Sequence, residues 1–263
     1  MTAPSGTVHE SARESARESG VRPPAGIGPA VALTVMAAWG ISLVALLAVP
    51  LARIPVIAVV ALVILRTWLH TGLFITAHDA MHGGPWPGRP RWNNALGATA
   101  VGLYALFPYP ALRREHLRHH AAPATPGDPD HHDGAHPGFV RWYVRFVRHY
   151  VRPGQIVGMA VVFNVLQHLA GVPQGRLLAF WVLPALLSTV QLFTFGTYLP
   201  HRDVPGGHAD GHRARSTALP PSLSLLTCFH FGYHWEHHAR PGVPWWALPA
   251  VHGARRTVRA TVS

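Results

Sequence analysis

Residues 55–82 read P-V-I-A-V-V-A-L-V-I-L-R-T-W-L-H-T-G-L-F-I-T-A-H-D-A-M-H. From Pro55 to Ala77 the stretch is apolar for long enough to cross a bilayer core of ~30 Å at ~1.5 Å per helical residue. It runs without a break into His78 and His82, four residues apart. On a helix that spacing puts two imidazoles on one face, so a membrane span here delivers a chelating pair at its end. Gly83, Gly84, Pro85 and Pro87 then stop the helix.

Toward the N-terminus, Ala30 to Ala52 is a second long apolar run, joined to the first by Arg53, Ile54 and Pro55. The two make a transmembrane hairpin. Further along, Ile156 to Val172 and Leu177 to Leu199 form a second hairpin around Pro173–Arg176. Between the hairpins, Asn93 to Pro108 is apolar but short, which suits an interfacial or re-entrant segment. The expected fold is therefore an all-α integral membrane protein with four transmembrane helices. Residues 1–28, rich in Ser, Arg, Glu, Gly and Pro with S-A-R-E-S in tandem, read as a disordered tail without a cleaved signal peptide. The membrane domain is expected over 29–252, with a short C-terminal tail at 253–263.

The histidine pattern continues. H-x-x-H-H occurs at His116, His119 and His120 and again at His234, His237 and His238. One i, i+4 pair alone would be incidental, but three helical clusters at membrane boundaries call for a metal. So many imidazoles exceed one ion's four to six positions, which points to two ions. Outside the tail the only glutamates are Glu115 and Glu236, and neither begins Glu-x-x-His, so a carboxylate-bridged bundle site is excluded. His-ligated iron activating O2 and zinc hydrolysis both remain open at this point. His131, His132, His136, His208 and His212 lie in polar loops, and His9 and His252 near the ends; all read as solvated or at most outer supports. The carboxylates Asp128 and Asp130, in the loop after the second cluster, are placed to orient ligand imidazoles from behind. Arg66 and His70 interrupt the second span as either a functional pair or a satisfied interior pair.

Two crossings separate the second cluster from the third, and the re-entrant reading of 93–108 keeps the first with the second, so all three share one membrane face. The basic residues share it. All 22 are Arg, the net charge is +11, and Arg113, Arg114, Arg118, Arg141, Arg145, Arg148 and Arg152 flank the clusters, with aromatics among the last four. By the positive-inside rule that face is cytoplasmic, with 141–152 a basic helix against lipid headgroups. No motif accompanies the charge to suggest nucleic acid. Cys228 is the single cysteine, which excludes an internal disulfide and a thiolate cluster; it reads as a packed core residue.

H-x-x-x-H followed by two H-x-x-H-H boxes resembles the membrane fatty-acid desaturase and hydroxylase superfamily. Longer strings are more specific: G-L-F-I-T-A-H-D-A-M-H-G at 72–83, G-R-P-R-W-N-N-A-L-G at 88–97, R-H-H-A-A-P-A-T-P-G-D-P-D at 118–130, Q-L-F-T-F-G-T-Y-L-P-H-R at 191–202, L-L-T-C-F-H-F-G-Y-H-W-E-H-H at 225–238 and P-W-W at 244–246. From about residue 60 to 250 they resemble the bacterial β-carotene ketolases. That resemblance implies a cytoplasmic His-ligated di-iron cap on four helices. It implies as ligands His78, His82, His116, His119, His120, His234, His237 and His238, with His201 at the end of the fourth span as a further one and His230 its competitor. Asp79, Asp128, Asp130, Glu236, Thr197 and His230 would stand just behind them. A desaturase commonly has Asn four residues before the His of the fourth span; Thr197 stands there instead, against an ordinary acyl desaturase.

The implied reaction is O2-dependent oxidation of C4 of the β-ionone rings of β-carotene, giving echinenone and canthaxanthin, in the cell membrane. Electrons must come from an external donor, expected to be an acidic ferredoxin, since no flavin, nicotinamide or Fe–S fingerprint is present. The alternatives are a carotenoid or fatty-acyl hydroxylase or desaturase of the same superfamily, a membrane zinc hydrolase, and a non-enzymatic metal- or pigment-binding protein.

Overall fold

The structure is a computed structural model, and it describes residues 26–262. The tail expected over 1–28 lies outside the described residues as far as position 25. Every element among the described residues is helical.

Helix α1 (Ile27–Ala48) and helix α2 (Val56–Met81) form the first hairpin. Their outward apolar residues, among them Ile41, Val44, Val56, Ile57 and Ile64, are exposed. A continuous apolar surface of that kind is at home in lipid, where a helix satisfies its own backbone. Gly28 lets the start of α1 approach the chain after the first His pair: a Cβ there would lie 1.9 Å from the Pro85 carbonyl oxygen.

Helix α3 (Pro90–Ala105) packs against α2, and helix α4 (Tyr109–Ala121) leaves it at 101°. Leu106 sits between them at φ 56°. The bend fits either a broken span or the expected re-entrant segment, and it lays α4, with the second His box, across the end of α2. Helix α5 (Phe139–Tyr150) buries Trp142 and rests Phe139, Tyr143 and Phe146 on Phe193, while Arg141, Arg145 and Arg148 face outward.

The second hairpin differs from its expected bounds. Helix α6 (Pro153–Asn164) ends in a wide π turn at Val165–Leu169, and Gly171 at φ 67° then reverses the chain. At ~1.5 Å per residue this element reaches about 25 Å, short of a ~30 Å core. Helix α7 runs Gln174–His201 and is long and apolar. Three helices, α1, α2 and α7, are thus long and apolar enough to span, or four elements if the bent pair α3–α4 counts as one. Short helices α8 (Pro221–Cys228) and α9 (His234–Ala239) follow, and helix α10 (Leu248–Val262) covers the third box, occupying the stretch expected as a C-terminal tail.

Arg66 and His70 are interior ties. The Arg66 guanidinium is fully buried and donates to the carbonyls of Phe180 and Trp39 and to Ser42 Oγ. Trp39 Nε1 donates to His70 Nδ1 at 3.0 Å. The two residues clamp α2 between α1 and α7 and stand in neither His cluster.

Candidate metal centre

The helices converge so that the nine histidines form two groups. In the first, ligand atoms of His78, His82, His116, His120 and His237 all lie within 4.8 Å of one another; in the second, those of His119, His201, His234 and His238 do. Each H-x-x-H-H box is split between them. On α4, His116 and His120 are one turn apart and go to the first group while His119 goes to the second; on α9, His234 and His238 go to the second and His237 to the first. That is the consequence of 100° per residue: positions i and i+4 share a face, and the remaining histidine points to one side of it. The groups adjoin where the rings of His120 and His238 stack at 4.2 Å and 14°.

Tautomers show that the donor set fits cations. His119 Nδ1 lies 2.9 and 3.0 Å from the two oxygens of Asp128, and His201 Nδ1 lies 2.8 Å from the Arg213 carbonyl. Both rings must carry a proton on Nδ1, so in the neutral form that binds metal both turn an Nε2 lone pair inward. His201 Nε2 and His78 Nε2 are buried without a hydrogen-bond partner. His82 and His116 meet Nε2 to Nε2 at 2.7 Å, and His120 and His237 at 3.0 Å. Clustered lone pairs of this kind are stabilised by an ion between them. Burial, reinforced by the neighbouring imidazoles, pushes His234, His237 and His238 well below the usual imidazole range, so they stay neutral, the form that binds metal.

The supporting residues divide unequally. Asp79 lies 3.3 Å from His78 Nδ1 and accepts the Trp245 N–H at 2.8 Å, which fastens the first box to the P-W-W segment. Burial opposes ionisation of Asp128, but the bonds from His119 and from the backbone N–H of Asp130 and Ala124 hold its carboxyl below the usual range. Asp130 accepts from the Tyr150 hydroxyl and stands 3.8 Å from His119, too far for a hydrogen bond. Glu236 faces away from both groups, accepting from Ser216, Arg255 and His252. His252, expected to be solvated or an outer support, stacks on Tyr233 at 4.2 Å and ties α10 to the back of the third box. His230 stays outside both groups beside Tyr233 and Trp245, pushed down to about 4 by burial.

His131 and His132 gather with Asp203 rather than lying free in solvent. The Gly134 N–H donates to His132 Nδ1, leaving the proton on Nε2, 3.3 Å from Asp203.

A cavity opens onto the histidines. His78, His116, His119 and His234 form one end, and Phe74, Met81, Phe107, Leu112, Phe146 and Phe231 supply its apolar walls. Thr197 borders it, four residues before His201 in the π turn Thr194–Tyr198. That turn also holds Gly196, where a Cβ would lie 2.1 Å from the Phe231 ring. The role of Tyr150 escaped the sequence reading because it sits in no His box; its signal was only an aromatic on the inner face of a basic helix.

Helices from the membrane that close over two groups of imidazoles define a class, and the sequence agrees with it: the chain belongs to the fatty acid desaturase family, which it matches over residues 52–163 and 153–261. Within that family, a protein of Paracoccus sp. (strain PC1) named β-carotene ketolase is 48% identical over 196 residues, covering 74% of this chain and 79% of the relative. A second β-carotene ketolase, from Paracoccus sp. (strain N81106 / MBIC 01143), is 46% identical over 70% of this chain and 75% of its own length. A zeaxanthin 4-ketolase of Chlamydomonas reinhardtii is 42% identical over 69% of this chain and 41% of its own.

Proposed function

We propose that the chain is an O2-dependent di-iron ketolase that introduces a keto group at C4 of the β-ionone rings of carotenoids, taking β-carotene through echinenone to canthaxanthin. One observation carries the reading: histidines of two adjoining all-imidazole groups border a largely apolar cavity. The names of the relatives supply the substrate class. Nitrogen-only donors suit iron among several metals, and the proposed O2-dependent reaction favours iron over zinc. The nine histidines named above would hold two iron ions, which when bound supply the activation of O2.

The chain's own residues do the rest. The cavity takes an apolar ring and excludes water, while Asp128 and the Arg213 carbonyl hold His119 and His201 in the ligating tautomer. Each of two rounds at C4 consumes one O2, two electrons and two protons, replaces one C–H by C–OH and releases water. The resulting geminal diol loses water to give the ketone. The allylic position favours C4, because the neighbouring double bond weakens its C–H bonds.

Electrons come from an external donor, which we take to be a ferredoxin docking on the exposed Arg114, Arg118, Arg141, Arg145 and Arg148. The protein sits in the cell membrane as a multi-pass domain over 29–252. The shorter α6 would act as the fourth span across a locally thinned bilayer, and the His boxes would face the cytoplasm.

Expression in a bacterium that accumulates β-carotene, in air, tests the reading. The expected products exceed β-carotene by one or two exchanges of O for H2. Unchanged β-carotene beside membrane-inserted, iron-loaded protein would overturn the ketolase assignment, and zinc in place of iron would overturn the oxygenase one.

A further inference from the structure

We infer that Asp130 and Tyr150 form an alcohol-binding pair that holds the half-oxidised ring between the two rounds at C4, and so commits the reaction to the ketone. The inference deepens the ketolase reading and rests on it.

The pair stands at the metal end of the cavity, which both residues line together with His116, His119 and His234. The Tyr150 hydroxyl donates to Asp130 Oδ1. Asp130 is fixed from three directions: Trp142 Nε1 donates to its carbonyl at 2.7 Å, its own N–H donates to Asp128 at 2.8 Å, and Tyr150 holds the carboxylate. It is not needed to orient His119. That ring nitrogen is already taken by Asp128 at 2.9 Å, and Asp130 Oδ2 is 3.8 Å away. A carboxylate and a phenol bordering an apolar cavity carry a desolvation cost, and the hydrocarbon substrate has no polar atom to offset it.

Of the other hydroxyls along the cavity, those of Tyr104 and Thr189 are committed to the protein, and that of Thr197 is a neutral group with no charge to strengthen a bond to an alcohol. Tyr104 accepts from Ser188, and Thr189 donates to the Leu186 carbonyl and pairs with Tyr143. Asp130 differs, because a carboxylate offers about four acceptor positions and Tyr150 uses one. It is suited to receive one more O–H donor.

The first round makes that donor. An unsubstituted ring enters by apolar contact alone. Once C4 carries a hydroxyl, its O–H donates to the Asp130 carboxylate, with the Tyr150 oxygen as a second acceptor. The ring is then held with the remaining C4 hydrogen near the histidine groups. Loss of water from the diol removes the donor, so the ketone is released while the alcohol is retained. Asp130 and Tyr150 are positioning residues in this scheme, since the oxidising equivalents come from O2 and the external donor.

Tyr150→Phe and Asp130→Asn test it. Each variant is assayed in membranes, with its iron content measured, on β-carotene with air and a reduced donor, and the alcohol and ketone products are separated. The expected result is a rise of about tenfold in the alcohol-to-ketone ratio, on the order of one lost charge-assisted hydrogen bond. Supplied with the 4-hydroxy carotenoid directly, the variants should show a raised KM. A merely structural role would slow both rounds together and leave the ratio where it was. An iron-loaded Tyr150→Phe with the wild-type ratio and KM overturns the inference; if that variant loses iron, the same reading of Asp130→Asn decides. Wild-type protein that oxygenates neither substrate overturns the ketolase reading instead.

Discussion

His119 and His201 approach one another edge to face, ring centroids 4.8 Å apart and planes at 88°, each with its Nδ1 proton given to an oxygen behind it. The two oxygens differ in kind. His201 relies on a backbone carbonyl, that of Arg213, which no side-chain substitution removes, whereas His119 relies on the Asp128 carboxylate. Asp128→Ala frees the His119 tautomer and leaves the backbone N–H of Ala124 and Asp130 without their acceptor. Metal affinity should fall about 10- to 100-fold, at the group of His119, His201, His234 and His238. Titration of metal-free protein would show one weakened site beside one unchanged; equal weakening of both would contradict the division.

That division makes a second prediction. His237 belongs to the first group and not to the second, so His237→Ala should lower iron content from two toward one per chain and abolish the oxygenated carotenoid. Metal analysis of purified protein checks the first part and pigment chromatography the second. Loss of both ions together would mean that the groups fill cooperatively.

Close packing beneath the site should be as sensitive as the ligands. Gly196→Ala places a methyl 2.1 Å from the Phe231 ring, which itself rests edge-on against His78 at 4.7 Å. The ring, which lines the cavity, must move, at a cost of about 1–3 kcal/mol. Gly28→Ala meets the Pro85 carbonyl oxygen, which belongs to backbone rather than to a yielding side chain. Thermal melting in detergent should fall for both variants, and only Gly196→Ala should also slow turnover, in both rounds alike and with the alcohol-to-ketone ratio unchanged.

Much of this was legible in the sequence, for identifiable reasons. Long apolar runs marked α1, α2 and α7 because bilayer thickness constrains length directly. The end of α6 was not legible, since hydropathy does not register the π turn at Val165–Leu169 or the reversal at Gly171. His201, preferred to His230 from its place at the end of the fourth span, gathers with His119, His234 and His238 while His230 does not; what the sequence did not show is the Arg213 carbonyl that turns its ring, contributed by a polar loop with no signature. Glu236 is a different kind of miss. Two residues beyond His234 on a helix, it stands about 200° around the axis, so periodicity alone already aimed it away from the group that His234 joins.

Docking of an acidic donor on the arginine face should be strongly salt-dependent. Arg114 and Arg118 keep 63% and 58% of their side-chain surface exposed although both contact Glu115. Exposed charges of this kind are screened beyond ~8 Å at physiological ionic strength. Turnover supported by reduced ferredoxin should fall severalfold between low and high salt, through KM for the donor, while a small uncharged reductant should show no such change. Equal turnover at both salt concentrations would remove the electrostatic docking idea.

The metal-free protein should be acid-sensitive in a defined direction. Burial, and after it the neighbouring imidazoles, depress His234, His237 and His238 in the folded chain, while in the unfolded chain each titrates near 6.5. At these three positions the unfolded state therefore binds more protons below that value, and their contribution to stability rises with pH through this range; His119, where burial is outweighed by Asp130 and Asp128 and the pKa is raised, contributes in the opposite sense and offsets part of it. The contribution of the three is fully present above about 6.5 and is lost progressively as the pH falls toward the folded values. Melting of metal-free protein in detergent at about pH 7.5 and pH 5.5 should show a clear drop at the lower pH. Loading with iron should move the onset of that drop to lower pH, because protons must then compete with the metal for the same nitrogen atoms. A melting temperature independent of pH in the metal-free form would mean that these imidazoles are solvated rather than packed.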